Sequence, residues 1–153
     1  MKVVDFLAPD SIIPSLSGSN KGEVLAELAA FMAGHHSGID AQVLRHVLEE
    51  REQLATTAIG DGIAIPHGKL DTVDRLVGIL GRSPAGLDCQ SIDGKPTHLL
   101  FMLVAPTNSA GVHLKALARL SKLFRDAGFR QKLLDADDGA TMYRTIAEED
   151  AKY

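Results

Sequence analysis

The 153-residue chain contains a single cysteine, Cys89, and no tryptophan. One cysteine excludes an internal disulfide, and the sequence has neither a CxxC pair nor the Cys/His spacing of a zinc site. It also lacks an apolar run of membrane-spanning length and, at its N-terminus, the basic-then-apolar profile of a signal peptide. We therefore expect a cytoplasmic protein that does not insert directly into a membrane.

Positive charge is also in short supply. The chain has 16 lysines and arginines against 20 aspartates and glutamates, which gives a formal net charge of −4. No basic stripe is available for a phosphate backbone, so nucleic acid is not an expected partner. Because no linker, repeat or low-complexity segment divides the chain, its length predicts a single domain over residues 1–153.

Helical hydrophobic spacing marks five segments of the chain. They are 21–33, 41–54, 114–124, 129–134 and a last segment from about residue 139. Asp40 and Asp138 are the predicted N-caps of the second and last helices. The predicted inner face of the second helix is Val43, Leu44, Val47, Leu48 and Leu54. The periodic positions of the 114–124 helix are Leu114, Leu117, Ala118, Ser121 and Phe124.

Two short apolar runs, 76–80 and 99–104, are bounded by glycine and proline and predict buried strands. The segment 11–16 is a candidate edge strand, because Pro14 is not tolerated in the middle of a sheet. Helices precede and follow the strands in the chain. This order predicts an α/β fold, a three-layer sandwich in which a mixed β-sheet is flanked by helices on both faces.

The most informative segment is 58–69, which places His67 between a proline and a glycine after an apolar, β-branched run. Pro66 fixes its own φ and biases the residue before it toward an extended conformation. Gly68 has no Cβ, so a bulky anion could approach the backbone beside the imidazole. A histidine held at the mouth of a turn is a candidate for contact with another molecule. The alternative is an ordinary histidine in a tight turn.

Arg51 and His113 are further candidates. Arg51 continues the apolar stripe of the second helix, so its guanidinium must reach an edge or meet an anion, and His67 lies a short loop away. The alternative is an ion pair with Glu50 or Glu52. His113 follows the most apolar strand at a strand-to-helix turn, where ligands often bind. The alternative there is a histidine exposed to water.

His35 and His36 adjoin the end of the first helix, where a positive charge is mildly favourable. Two adjacent histidines without a third ligand make a poor metal site. We therefore expect neither a metal nor a cofactor.

The segment 48–52 followed by 60–69 resembles the phosphorylation-site signature of fructose/mannitol-type IIA domains of the bacterial phosphoenolpyruvate-dependent phosphotransferase system. The resemblance continues through 91–96, 99–106 and 113–117 to the C-terminal helix, and so covers nearly the whole chain. The residues Ile-Ala-Ile-Pro-His-Gly-Lys are most similar to the nitrogen-regulatory branch of that family.

The resemblance implies a phosphoryl relay in which an HPr-like phosphocarrier protein phosphorylates Nε2 of His67. It implies that His113 is the second active-site histidine and that Arg51 is the active-site arginine. Gly68 and Lys69 would then bind the phosphoryl group through their backbone and rim charge. A phosphohistidine would make the chain a phosphotransferase component with a mainly regulatory role.

Two positions raise questions about the loop. Ala58 stands where relatives often have glycine, and a positive φ there would strain the loop. Asp61 would place a negative charge near an incoming phosphate unless its side chain turns away.

Three functions stay open at this point. The first is a nitrogen or metabolic regulatory switch that binds target proteins according to its phosphorylation. The second is the IIA subunit of a fructose- or mannitol-type sugar transporter, which passes phosphate to a IIB domain. The third is a binding module that is never phosphorylated.

Overall fold

A computed structural model describes all 153 residues. A 3-10 turn (Val3–Asp5) precedes six strands and five helices. The strands are β1 (Ile12–Ile13), β2 (Ala58–Gly60), β3 (Ile63–Ala64), β4 (His67–Leu70), β5 (Val77–Leu87) and β6 (Thr97–Pro106). The helices are α1 (Lys21–His35), α2 (Ala41–Leu54), α3 (Ala110–Phe124), α4 (Ala127–Asp135) and α5 (Gly139–Asp150).

The sheet is mixed and is organised around β6. Strand β5 runs antiparallel along one side of β6, and β1 pairs parallel with the outer edge of β5. Along the other side of β6, first β3 and then β4 pair in parallel. Strand β2 pairs antiparallel with β3. The edge strand predicted near Pro14 is therefore confirmed, although only Ile12 and Ile13 take part in the ladder.

Two hydrophobic cores cover the two faces of the sheet. Because side chains alternate along a strand, the odd-numbered residues of β6 from Leu99 to Ala105 face one core and the even-numbered residues from Leu100 to Val104 face the other. The first core contains the inner faces of α3, α4 and α5. The second contains those of α1 and α2. The predicted three-layer α/β architecture is confirmed.

The two predicted helix N-caps are also confirmed. The Asp40 carboxylate accepts hydrogen bonds from the backbone N–H groups of Gln42 and Val43 at the start of α2. The Asp138 carboxylate accepts from the N–H of Thr141 at the start of α5, at 2.8 Å. Each cap provides an acceptor for N–H groups that the helix itself cannot pair.

Three leucine and valine positions were predicted wrongly. Val43 is 53% exposed and Leu54 is 82% exposed, whereas Leu44 and Leu48 are buried. At 100° per residue, Leu54 lies roughly 80° around the helix from Leu44, off the buried stripe. Leu114 is likewise 67% exposed, because α3 turns Ala116, Leu120 and Leu123 toward the sheet instead.

A buried arginine joins the sheet to α4. Arg82 of β5 is only 7% exposed, and its guanidinium donates to the carbonyl oxygens of Pro14, Leu133 and Ala136 at 2.7–2.9 Å. The last two carbonyls lie at the C-terminal end of α4, where helix carbonyls have no intrahelical partner. A cation there also complements the negative end of the helix dipole. Arg82 therefore fixes α4 against the sheet.

Candidate functional site

His67 lies where a strand parallel to β6 is interrupted. Strands β3 and β4 pair with β6 in the same register, Ile63 with Leu99 and His67 with Leu103, but Pro66 between them has no N–H to donate. His67 is therefore the first residue of β4, and not part of a turn as predicted. This places its partly buried side chain at the break in the ladder, facing away from the core.

The hydrogen bonds of His67 define which of its nitrogens carries the proton. Nδ1 lies 2.8 Å from the carbonyl oxygen of Ile65. Because a carbonyl can only accept, Nδ1 is the protonated nitrogen, and Nε2 of the neutral ring carries the lone pair. Nε2 in turn accepts a hydrogen bond from Nε of Arg51 at 3.3 Å.

Arg51 reaches this position from the last turn of α2. Besides its contact with His67, its Nη1 donates to the carbonyl oxygen of Ala55 at 2.9 Å. The alternative ion pairs with Glu50 and Glu52 are not formed. Glu50 contacts His46, and Glu52 pairs with Lys21 at 2.6 Å. The guanidinium is thus held beside the imidazole by a backbone acceptor and keeps donors available for an anion.

His113 lies in the first turn of α3 and is buried, with 7% of its surface exposed, so the water-exposed alternative is wrong. Its ring meets the His67 ring edge-on, with centroids 5.1 Å apart and planes at 79°. Its Nε2 is buried without a hydrogen-bond partner. Unpaired buried polar atoms are rare in folded proteins, and this one lies next to the His67 ring. His113 therefore keeps an unused hydrogen-bonding nitrogen on the ring that meets His67.

Both histidines of the pair are held in the neutral form. Burial lowers the pKa of His67, and the charge of Arg51 lowers it further, against the opposing effects of the hydrogen bond to Ile65 and of the charge of Glu52. Burial also lowers the pKa of His113 to about 4, with smaller contributions from His67 and Lys69. At neutral pH the site therefore presents two uncharged imidazoles beside one guanidinium.

Gly68 contacts α2, which the sequence did not predict, whereas Lys69 lies exposed beside His67. A Cβ added to Gly68 would come within 2.5 Å of Cγ1 of Val47, so the missing side chain faces α2 and not an open anion site. Gly68 is required because the helix packs directly on the strand backbone. Lys69 is exposed and follows His67 by two strand positions, which places both side chains on the same face of β4.

These residues line a surface depression of about 640 Å³. Its walls include Arg51, His67 and Lys69 on one side, and α3 with His113 on the other. The exposed Leu54 and Leu114 also border it, and the sequence interpretation missed them because it assigned both to the core. A helical wheel carries the signal for Leu54, since it lies off the stripe that Leu44 and Leu48 define.

The two loop positions that raised questions are accommodated. Ala58 is fully buried in β2 and has no positive φ, so alanine causes no strain there. The left-handed conformations fall instead on Gly60, Asp61 and Gly62. Asp61 lies outside the His67 depression and lines a separate one with His98. Its charge is thus turned away from the imidazole.

His35 and His36 lie at the opposite end of α2 from Arg51, near the loop after β4. His35 stacks on Phe31, with ring centroids 4.1 Å apart. No group of three histidine, cysteine, aspartate or glutamate side chains is placed to hold a metal ion. None of the five helices combines the length and hydrophobicity that crossing a bilayer requires.

The chain is similar to known proteins along almost its full length. Residues 5–149 match the family model described as "Phosphoenolpyruvate-dependent sugar phosphotransferase system, EIIA 2". The chain is 40% identical to a nitrogen regulatory protein of Bradyrhizobium diazoefficiens, over 96% of this chain and 95% of that one. It is 33% identical to the fructose-specific EIIABC component of Bacillus subtilis, covering 98% of this chain but 24% of that longer one.

Comparison with solved structures indicates the same relationship as the sequence similarities. The crystal structure of nitrogen regulatory protein IIA-Ntr from Neisseria meningitidis superposes with a TM-score of 0.88 at 26% identity, covering 94% of this chain and 98% of that one. The resemblance inferred from the sequence around His67 is therefore confirmed at the level of the family. The chain belongs to the EIIA type-2 family of the phosphoenolpyruvate-dependent sugar phosphotransferase system.

Proposed function

We propose that the chain accepts a phosphoryl group on Nε2 of His67 from an HPr-like phosphocarrier protein and serves as a nitrogen or metabolic regulatory switch. The observation that carries this proposal is the state of the His67 ring. Its Nδ1 is engaged by the Ile65 carbonyl, while Nε2 keeps its lone pair beside Arg51 in an open depression. The 40% identity with a nitrogen regulatory protein supports the regulatory branch.

The proposed transfer needs positioning more than covalent chemistry. The carrier would itself be phosphorylated on a histidine. The lone pair of Nε2 attacks phosphorus, the new N–P bond forms as the N–P bond to the carrier's histidine breaks, and the imidazole of that histidine takes the electron pair. The negative charge on the three phosphoryl oxygens needs donors held in place beforehand. Arg51 supplies a planar guanidinium, the unpartnered Nε2 of His113 supplies an N–H when protonated there, and Lys69 adds positive charge at the rim.

Neutrality of the two histidines supports the same chemistry. A protonated His67 would have no lone pair for attack, and its pKa is lowered by burial and by Arg51. A nucleophile at cellular pH must be largely uncharged, which an unperturbed pKa near ~6.5 already favours. The lowered pKa extends this competent state to more acidic conditions.

A phosphoryl group on His67 would change the surface that a partner meets. It adds a charge of about −1.5 to −2 to the depression. Leu54 and Leu114, exposed on the two helices that flank His67, provide apolar contact area for a protein. A partner that covers these leucines would sense the phosphoryl group directly, which is the property that a regulatory switch requires.

The contribution of the two leucines can be measured separately from the chemistry. Changing Leu54→Gln and Leu114→Gln together should raise the KM for the carrier protein by about tenfold and leave kcat nearly unchanged. The reason is that these contacts bind the carrier equally strongly before the reaction and in its transition state. Steady-state transfer assays at several carrier concentrations provide both constants. A fall in kcat with an unchanged KM would show that the leucines do not bind the donor.

The experiment that tests the acceptor is phosphorylation in a reconstituted relay. The chain is incubated with phosphoenolpyruvate, enzyme I and an HPr-like carrier, and phosphohistidine is located by mass spectrometry under alkaline conditions. We expect one phosphoryl group on His67, and none on the His67→Ala variant. The variant with His35→Ala and His36→Ala should label normally. Labelling of the His67→Ala variant, or no labelling of the wild type, would contradict the proposal.

A second function is supported by the similarity to the fructose-specific EIIABC component of Bacillus subtilis. In this case the chain would be the IIA subunit of a fructose- or mannitol-type transporter and would pass its phosphoryl group to a IIB domain. Adding purified IIB domains to the phosphorylated chain distinguishes the two functions. Rapid loss of phosphate from His67 to a IIB domain supports the transporter, and its retention supports the switch. A cytoplasmic location stays a prediction for both.

A further inference from the structure

A buried acidic side chain follows Arg51 on α2 and points away from the depression. The Glu52 side chain is only 7% exposed and pairs with Nζ of Lys21, at the start of α1, at 2.6 Å. Adjacent helix residues project about 100° apart, so Arg51 faces the depression while Glu52 faces the interior between α1 and α2. Buried carboxylates are rare unless they are paired, and this pair takes no direct part in the proposed transfer.

The same carboxylate holds the segment that connects α2 to β2. The backbone N–H of Thr57 donates to Oε2 of Glu52 at 3.2 Å, and the Thr57 hydroxyl hydrogen-bonds to Oε1. Thr57 is 5% exposed, so water cannot replace these partners easily. Glu52 therefore fixes both the main chain and the side chain of Thr57.

Thr57 is connected in turn to the group that orients His67. The N–H of Ile65 donates to the Thr57 carbonyl at 3.0 Å, at the point where Pro66 interrupts the ladder on β6. On the other side of the interruption, the carbonyl of Pro66 accepts from Leu103. Ile65 is thus anchored from both directions, and its carbonyl is aimed at Nδ1 of His67.

We propose that Glu52, neutralised by Lys21, is a positioning residue for the phosphorylation of His67. This inference rests on the proposed function above and assigns a role to a carboxylate that touches neither the phosphoryl group nor the imidazole. By holding Thr57, it keeps the Ile65 carbonyl where it binds the Nδ1 proton. The Nε2 lone pair then stays directed into the depression. Loss of Glu52 loosens the contact at Nδ1 and leaves only the Arg51 donor at Nε2 to oppose exchange of the proton between the two ring nitrogens.

The test compares Glu52→Ala with a matched control on the same helix. Glu49→Gln removes a charge from an exposed pair with Arg45, which lies on the surface of α2. Two measurements are made on each protein. The first is the ring nitrogen NMR spectrum of unphosphorylated His67, which reports the tautomer, and the second is kcat and KM for phosphorylation by the HPr-like carrier.

We expect wild type and Glu49→Gln to show the Nδ1–H tautomer of His67 and equal kcat values. Glu52→Ala should give a mixture of tautomers and a kcat lower by about tenfold with KM changed less than about twofold, since a small misplacement slows an in-line transfer. Glu52→Gln keeps an acceptor for Thr57 and should recover much of the rate. Thr57→Val, which removes only the hydroxyl, is the second variant if Glu52→Ala does not fold, and it should lower kcat by about threefold.

The two measurements separate the possible failures. If Glu52→Ala or Thr57→Val retains the wild-type tautomer and kcat, Glu52 stabilises only the fold and this proposal is wrong. If the wild type accepts no phosphate at all, the proposed function fails. In that case the tautomer of His67 in the Glu52 variants still determines whether Glu52 orients the ring.

Discussion

Replacing Gly68 with alanine tests the packing of α2 on β4, which brings Arg51 beside His67. An alanine Cβ at this position would lie 2.5 Å from Cγ1 of Val47, more than about 1 Å inside the optimal carbon–carbon separation. Val47 cannot easily rotate away, because β-branched side chains have one strongly preferred rotamer in a helix. We expect α2 to move away from β4 instead.

The cost follows from this contact. Overpacking of this kind destabilises a protein by about 1–3 kcal/mol. For a chain of this size, each kcal/mol lowers Tm by about 2–4 °C. Arg51, one turn beyond Val47 on α2, would move with the helix, and its 3.3 Å hydrogen bond to His67 would be lost. We therefore expect a phosphoryl-transfer kcat about tenfold lower, since misplacement of about 1 Å can reduce a rate by up to ~100-fold.

A second substitution makes this prediction specific. Val47→Ala removes Cγ1, and in the chain that also carries Gly68→Ala it should restore most of the lost stability and rate. Alone it should cost only about 1 kcal/mol. Thermal unfolding and single-turnover transfer on the four proteins complete a double-mutant cycle. Gly34→Ala is the control, because no atom lies within 4 Å of the added Cβ in α1.

Two results would refute the reasoning. Wild-type stability and transfer in Gly68→Ala would show that α2 does not need a glycine beneath it. Additive losses in the double variant would show that the damage does not come from Val47.

Three further predictions concern charge. Arg51→Lys should lower kcat by about tenfold, because an ammonium cannot reproduce the planar fork, and equal rates in a transfer assay would leave Arg51 a structural role only. Burial lowers the pKa of His113 to about 4. Between about pH 6.5 and pH 4 this histidine is therefore protonated in the unfolded chain and neutral in the folded chain. The free energy of unfolding should therefore fall as the pH falls through this window. Urea unfolding at several pH values should show that this free energy depends less on pH in His113→Gln than in the wild type. An unchanged pH dependence would exclude His113 as its source. Arg82→Met should destabilise the fold by about 3 kcal/mol, because several buried carbonyls lose their donor, and a loss below about 1 kcal/mol in the same assay would contradict that role.

Much of the fold follows from local patterns. The caps at Asp40 and Asp138 formed as predicted, because a capping carboxylate needs only the next two or three N–H groups of its own chain. The apolar runs became the paired strands β5 and β6, since an uninterrupted hydrophobic strand must be covered on both faces. Strands β2, β3 and β4 were not separated in advance, because two to four residues carry too little periodicity.

The candidate site was predictable in part. The residues around His67 singled out the imidazole, and the stripe position of Arg51 indicated where its guanidinium would lie. Leu114 was assigned to the core, because hydrophobicity does not show which of two apolar faces of α3 turns toward the sheet. Gly68 was interpreted as space for an anion, because the sequence does not show that Val47 fills that space.

The sequence by itself determined the order of the helices and of the two long strands, two helix caps and the histidine that stands between a proline and a glycine. Only the tertiary structure decided that His113 meets His67, that Ile65 sets its protonated nitrogen, and that Lys21 and Glu52 pair behind the site. The physical reason is the separation along the chain of the residues that interact. Caps and periodicity act over a few residues of one segment, whereas these contacts join segments far apart in the chain and exist only once both faces of the sheet are packed.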